Sequence, residues 1–325
     1  MRIAIAGAGA IGSVIAGYLL ADGKHEVSLL ARGTHLAAMR SRGLTILAPG
    51  NRRLESRPVA SDDPAALGPQ DVIISTVKGH GVPALAPLLG AIRKPETPIV
   101  AAQNGIPWWY FRGVDGPESG QAFETVDPGG VAWRTFGPEH AIGCVINLPA
   151  EIVEPGVVHH VGRPSLTLGA PCAGEHGAVL REIAAVLESA GIAAPVTSNI
   201  RHPLWIKLQQ NCSTGPISVL TGANLGVIGA SPAITSIRAQ IMRECIAVAA
   251  RWNVTLEDDV DARMARGAAG AADHKASMLQ DYEMGKPIEL DPIATAVIEL
   301  ARRRGVEVPM LKTVWAITKL KIGAG

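Results

Sequence analysis

The chain has 325 residues, 30 Lys and Arg against 29 Asp and Glu, and 47% hydrophobic side chains of which few are aromatic. Such a chain buries a large core, is long enough for two domains, and is neither disordered nor collagen-like. A net charge of +1 without a basic run argues against a nucleic-acid partner, and no stretch of about 18 apolar residues predicts a membrane span.

Cys144, Cys172, Cys212 and Cys245 are scattered and form no CxxC pair, so neither a metal site nor a disulfide scaffold is expected. The apolar N-terminus lacks the cleavage pattern of a signal peptide, which points to the cytoplasm.

Arg2 to Ala6 reads as a buried parallel strand, and Gly7-Ala8-Gly9-Ala10-Ile11-Gly12 follows at once, ahead of a helix over Ser13 to Leu20. In this pattern Gly7 allows a tight turn, Gly9 lets the backbone approach a pyrophosphate, and Gly12 lets helix and strand pack closely. The N–H groups of Ala10 and Ile11 then face the phosphates at the helix N-terminus. Alone, such glycines also make plain turns; between a strand and a helix they point to a dinucleotide. The second strand, Glu26 to Leu30, ends in Ala31-Arg32-Gly33, where an NAD-selective site would carry an acid. A guanidinium there grips a 2′-phosphate, so the cofactor is expected to be NADPH/NADP+; the plain alternative is a surface arginine.

A third strand is predicted near Leu44, with Arg57 to Ala60 continuing it or pairing with it. Asp71 to Val77 is a buried strand whose carboxyl end carries Lys78, placed either to meet a ligand or to face solvent; His80 reads as a loop residue. After a crossover helix over Val82 to Leu89, the strand Pro98 to Ala102 leads to Asn104, whose amide suits a ribose or a carboxylate; Asn-Gly is also a common turn. Trp108 to Phe111 suits a pocket wall, a core or a subunit contact, and Arg112 to Gly130 reads as a long surface loop. Strands follow over Gly143 to Ile152 and Val157 to Val161, turning at Glu154-Pro155-Gly156 with His159 and His160 on opposite sides. Ser165 to Gly169, a helix over Gly177 to Ala190 and a closing strand over Ala193 to Thr197 complete a first domain, 1–198.

From 199 to 325 helix follows helix. Lys207 and Asn211 share one helix face, which spacing alone reads as solvated. Gly215-Pro216 is expected to kink or break that helix. A turn-rich linker over Leu220 to Gly226 precedes helices over Ser231 to Trp252, Ala271 to Met284 (carrying Ser277), Glu289 to Arg304 and Met310 to Lys321. Glu289 suits an N-terminal acid that complements the helix dipole.

Together these residues resemble the ketopantoate reductase (2-dehydropantoate 2-reductase) family along nearly the whole chain. The shared elements are the glycine turn, Arg32, Thr76-Val77-Lys78, Gln103-Asn104-Gly105, Trp205 to Asn211, Ser277 to Asp281 and Glu289-Leu290-Asp291. The resemblance implies an α/β Rossmann domain with a parallel sheet, then an all-α domain similar to 6-phosphogluconate dehydrogenase, with the active site in the cleft between them. It implies NADPH-dependent reduction of ketopantoate to pantoate, on the route to pantothenate, by a homodimer. Lys207 is then the general acid and Glu289 its catalytic partner. Asn211 and Ser277 are substrate ligands, Lys78 and Asn104 touch cofactor and substrate, and Glu289 touches the cofactor as well. The family often has a second asparagine one turn beyond Asn211, where this chain has Gly215; another bulky 2-keto acid is therefore the alternative substrate. An opine-type dehydrogenase and a non-catalytic NADP(H) sensor are the remaining readings.

Overall fold

The computed structural model describes residues 1–264 and 274–323. Contacts divide the chain into an α/β unit, 1–103 with 107–200, and a helical unit, 201–325 with the tripeptide 104–106. The chain thus enters the helical unit twice.

The α/β unit is built on β1 (Arg2–Ala6), β2 (Glu26–Leu30), β5 (Val59–Ser61), β6 (Val72–Ser75), β7 (Ile99–Ala102), β8 (Ala141–Asn147) and β11 (Ser165–Gly169). They form one sheet in the order β11-β8-β7-β6-β1-β2-β5. All pairs are parallel except β11 with β8. The inner strands are covered on both faces, which is why they read as unbroken apolar runs rather than alternating ones. A second sheet, β4-β3-β10-β9, joins β3 (Leu44–Ala48), β4 (Arg52–Ser56), β9 (Ala150–Glu154) and β10 (Val157–His160).

Helix α1 (Ala10–Asp22) packs on strands of both sheets, which accounts for a helix buried without interruption from Gly12 to Leu19. Its Gly17 lies against Ile46 of β3 so closely that a side chain there would collide. Helices α2 (Gly33–Arg42), α3 (Val82–Leu89), α4 (Val131–Phe136) and α5 (Gly177–Ser189) complete this unit.

Several expectations need correction. Leu44–Ala48 pairs with Arg52–Ser56, whereas Val59–Ser61 joins β2 in the main sheet. Gly143 to Ile152 is not one strand: β8 and β9 belong to different sheets and part at Leu148-Pro149. Ala193 to Thr197 pairs with β11 only at isolated bridges. The span 112–130 is more than a surface loop, because Phe123 is fully buried and stacks on Phe111 at 4.6 Å. Asp127, also buried, accepts hydrogen bonds from Ala132 N (2.9 Å) and Trp133 N (2.8 Å) and so starts α4, a helix the sequence reading missed. Trp108, Trp109, Tyr110 and Phe111 are all core residues. His160 is buried against Tyr18, 3.0 Å from its hydroxyl, while His159 on the other side of the strand is partly exposed.

The helical unit is built around α6 (Arg201–Thr221), against which α8 (Pro232–Arg251), α9 (Ser277–Glu283) and α11 (Pro309–Gly323) pack. Helix α7 (Leu225–Ala230) precedes α8, and a π-wound turn, Asp291–Thr295, leads into α10 (Ala296–Arg303). Of the kink or break expected at Gly215-Pro216, the break does not occur: α6 runs through as one helix. The helix expected over Ala271 to Met284 is ordered as α9; Ala271 to Asp273 lie outside the described residues. Glu244 is buried and accepts from Met310 N (3.0 Å) and Leu311 N (2.9 Å), satisfying donors that the first turn of α11 leaves without helical partners. Among the described residues no helix is long and apolar enough to cross a membrane.

Candidate active site

β1 pairs with β2 on one side and β6 on the other, so the strand order reverses there; open α/β sheets bind ligands at the carboxyl ends of such strands. Gly7 turns the chain with φ +103°, a conformation that strains any side chain. Its N–H and that of Ala8 both donate to Leu30 O at 3.1 Å, and Thr76 Oγ1 donates to Gly7 O at 2.6 Å. A Cβ on Gly7 would lie 2.6 Å from Val77 Cγ1, and one on Gly12 would run into Gly7 O and Thr76 Oγ1. Gly9 differs: a Cβ there would meet nothing within 4 Å. Gly9 caps α1 without a side-chain bond, and no acid stands in the first turn formed by Ala10, Ile11 and Gly12. An uncapped helix N-terminus with open space above it fits the pyrophosphate of a dinucleotide.

Arg32 follows β2 as the extended residue that starts α2. It is exposed, and among the described residues it holds no ion pair or side-chain hydrogen bond. Helix α2 also has no acid in its first turn and no side-chain cap. Lys78 stands just beyond β6, partly buried.

The helical unit gathers the rest. Asn104 Nδ2 donates to Glu289 Oε2 at 3.4 Å across 185 residues of sequence, and Glu289 is only 6% exposed. Glu289 is thus a buried carboxylate facing an amide, just ahead of the π-wound turn. The Asn-Gly turn makes this meeting possible. Gly105, at φ +78°, lies so near the main chain that a Cβ would be 2.6 Å from Pro292 O, and Ile106 N donates to that oxygen at 2.7 Å. The next carbonyl, Ile293 O, accepts from Cys212 Sγ of α6 at 3.3 Å. The π-wound turn therefore holds the Asn104 segment and α6 at once; such turns frequently mark functional sites.

Lys207 and Asn211 are partly buried on one face of α6, and Ser277 is exposed at the start of α9. Gly215, next on that face, is buried: a Cβ would come 3.0 Å from Met278 Cε and 3.2 Å from its sulfur, so α9 packs directly onto α6 there. Asn104, Lys207, Asn211, Ser277 and Glu289 thus lie on elements of one unit, and Gly7 to Gly12, Arg32 and Lys78 on the other. Sequence reading missed Ser13 and His35, whose side chains are 3.0 Å apart beside the glycine turn. A spacing of 22 residues carried no signal that they meet.

Residues 3–171 match the family model described as ketopantoate reductase PanE/ApbA, and residues 199–321 match the model of its C-terminal region. A 2-dehydropantoate 2-reductase of Mesorhizobium japonicum is 39% identical over 324 residues, covering 98% of this chain and 97% of its own. A Ralstonia solanacearum structure, provisionally named a ketopantoate reductase, aligns with a TM-score of 0.91 at 34% identity, covering 99% of this chain and 98% of its own. The fold is also that of D-mandelate dehydrogenase, solved with NADH and anilino(oxo)acetate, with a TM-score of 0.81 at 23% identity over 100% of this chain and 99% of that one. The chain belongs to the ketopantoate reductase family and is an oxidoreductase that acts on a CH–OH group with a nicotinamide cofactor.

Proposed function

We propose that this protein reduces 2-dehydropantoate to pantoate with NADPH. The observation that carries the reading is the full-length likeness to the Mesorhizobium japonicum 2-dehydropantoate 2-reductase. Two features of the chain support it. Arg32, exposed at the uncapped start of α2, offers a guanidinium and free N–H groups where a 2′-phosphate would need them. The contact between Asn104 and Glu289 gathers polar groups within a unit whose α6 carries Lys207 and Asn211.

When bound, the nicotinamide supplies a hydride to the ketone carbon. The backbone of Gly7 to Gly12, including Ala10 and Ile11, holds the pyrophosphate, and Arg32 holds the 2′-phosphate. Lys207 meets the negative charge that builds on the ketone oxygen and donates the proton that completes the hydroxyl. Glu289 orients Lys207 or the substrate hydroxyl and contacts the cofactor, with Asn104 fixing the carboxylate from the side. Asn211 and Ser277 bind the substrate, and Lys78 serves cofactor and substrate carboxylate.

A second reading, another bulky 2-keto acid, rests on Gly215, whose place on the α6 face is closed by Met278 instead of carrying a polar side chain. One experiment separates the two. Oxidation of NADPH is followed with 2-dehydropantoate and with 2-keto acids bearing branched or aromatic C3 groups, then repeated with NADH. The highest kcat/KM on 2-dehydropantoate with NADPH is expected. A higher value on an apolar 2-keto acid overturns the substrate, and equal use of NADH overturns the cofactor.

A further inference from the structure

A chain of hydrogen bonds that no part of the reaction uses runs beside the glycine turn. His35, in the first turn of α2 three residues beyond Arg32, lies with Nε2 3.0 Å from Ser13 Oγ of α1. Its other nitrogen, Nδ1, accepts from Gly156 N at 3.0 Å, at the turn that joins β9 to β10. A nitrogen that accepts from a backbone N–H carries no proton itself. The proton of the neutral ring is therefore on Nε2, and Ser13 Oγ is the acceptor. That leaves the Ser13 hydroxyl proton for Ala8 O inside the glycine turn, a long contact of 3.5 Å. Ser13 is fully buried, so its hydroxyl depends on these protein partners. Burial also holds the His35 imidazole below the usual histidine range, which keeps the neutral ring that this pattern requires.

The bonds close a ring. Gly7 and Ala8 donate to Leu30 O at the end of β2. Two residues later Arg32 opens α2, and His35 then returns through Ser13 to Ala8. The strand end and the imidazole thus hold the start of α2 against the start of α1 from two directions.

We propose that His35 is a positioning residue for cofactor choice, setting Arg32 at a fixed distance from the glycine turn so that one dinucleotide reaches both. The inference rests on the NADPH reading above. The side chain touches no reacting atom, so its loss is expected in affinity for the phosphorylated cofactor and not in turnover.

Two variants divide the two contacts. In His35→Gln the amide nitrogen takes the place of Nε2 and keeps a donor for Ser13. In His35→Asn the shorter amide keeps an acceptor for Gly156 and cannot reach Ser13. Binding of NADPH and NADH is measured on the full chain by cofactor fluorescence, with Ser13→Ala as a third variant that leaves the imidazole in place. Losing one buried hydrogen bond of about 1 kcal/mol corresponds to about a fivefold change in Kd. That loss is expected for NADPH in His35→Asn and Ser13→Ala. His35→Gln should stay near the parent, NADH should change less than NADPH, and kcat at saturating NADPH should not move. Equal NADPH affinity in parent and His35→Asn, or the same loss in Gln and Asn variants, overturns the inference. A parent that binds NADH as well as NADPH overturns the 2′-phosphate reading instead, so the two failures are distinct.

Discussion

On the proposed reading, the glycine turn of the α/β unit and the polar face of α6 in the helical unit would meet ligands by opposite means. At the turn, the groups available to a ligand are main-chain N–H donors that carry little side chain around them; a Cβ on Gly7 or Gly12 would strike protein, and one on Gly9 would meet only open space. On α6 and around Glu289 the groups are side chains, carried on elements that pack together through Gly215, Cys212 and Pro292. A backbone site is damaged by adding atoms, and a side-chain site by deleting them. That difference decides which substitutions test each.

The largest effect is expected in the side-chain site. Lys207→Ala should lower kcat by at least about 10²-fold, as loss of a general acid does. Near-normal turnover by NADPH oxidation would take the chemistry away from α6. The backbone site is tested by a pair. Gly7→Ala should destabilise the fold by about 2–3 kcal/mol, because it combines a positive φ with a collision at Val77. Gly9→Ala should leave the stability nearly unchanged, within about 0.5 kcal/mol, while weakening cofactor binding several-fold. A Gly9 variant that melts early but binds normally would show that the open space serves folding and not a ligand.

Arg32 is the exception in the first region, a side chain in a backbone site, so deleting it should matter there. Arg32→Ala should weaken NADPH about tenfold, the equivalent of one charge-assisted contact, and leave NADH within about twofold. Equal losses for both would move Arg32 from the 2′-phosphate to the general field of the site.

The smallest effect lies outside both regions and calibrates them. Asp71 accepts from Arg2 N at 2.8 Å and from Lys94 Nζ at 2.5 Å, and Lys94 foremost holds its carboxyl below the usual aspartate range. A depressed folded value stabilises above the unfolded pKa of about 3.9 and is lost as pH falls through the folded one. The pair is more than a third exposed, so its worth is discounted to about 0.5–1 kcal/mol. Asp71→Asn should melt earlier than the parent at pH 6 and at the same temperature once the aspartate is protonated. A gap that persists in acid would mean that the hydrogen bonds and not the charge carry the effect.

How much was legible follows the same division. Gly7, Gly9 and Gly12 were readable because strand, turn and helix are consecutive and each glycine has a local reason. Arg32 was readable as the residue at a strand's carboxyl end. The second sheet was not: β3, β4, β9 and β10 come from distant parts of the chain, and nothing in Leu44–Ala48 says that its parallel neighbour is Val157–His160. The continuity of α6 was not legible because Gly-Pro is a helix breaker locally, whereas the close contact of Gly215 with Met278 favours a residue without a side chain there.

The sequence by itself determined a glycine turn between strand and helix at the N-terminus and the change from α/β to helical pattern near Asn199. These are local properties, written in neighbours and in periods of two and of 3.6 residues. Only the tertiary structure decided that Asn104 belongs with Glu289 and that Ser13 belongs with His35. It also gave Glu244 and Glu289, two similarly buried acids, different partners, the first-turn N–H groups of a helix for one and the Asn104 amide for the other. Each of those assignments depends on which donor arrives from far along the chain, and the packing of buried surfaces, rather than local preference, brings it there.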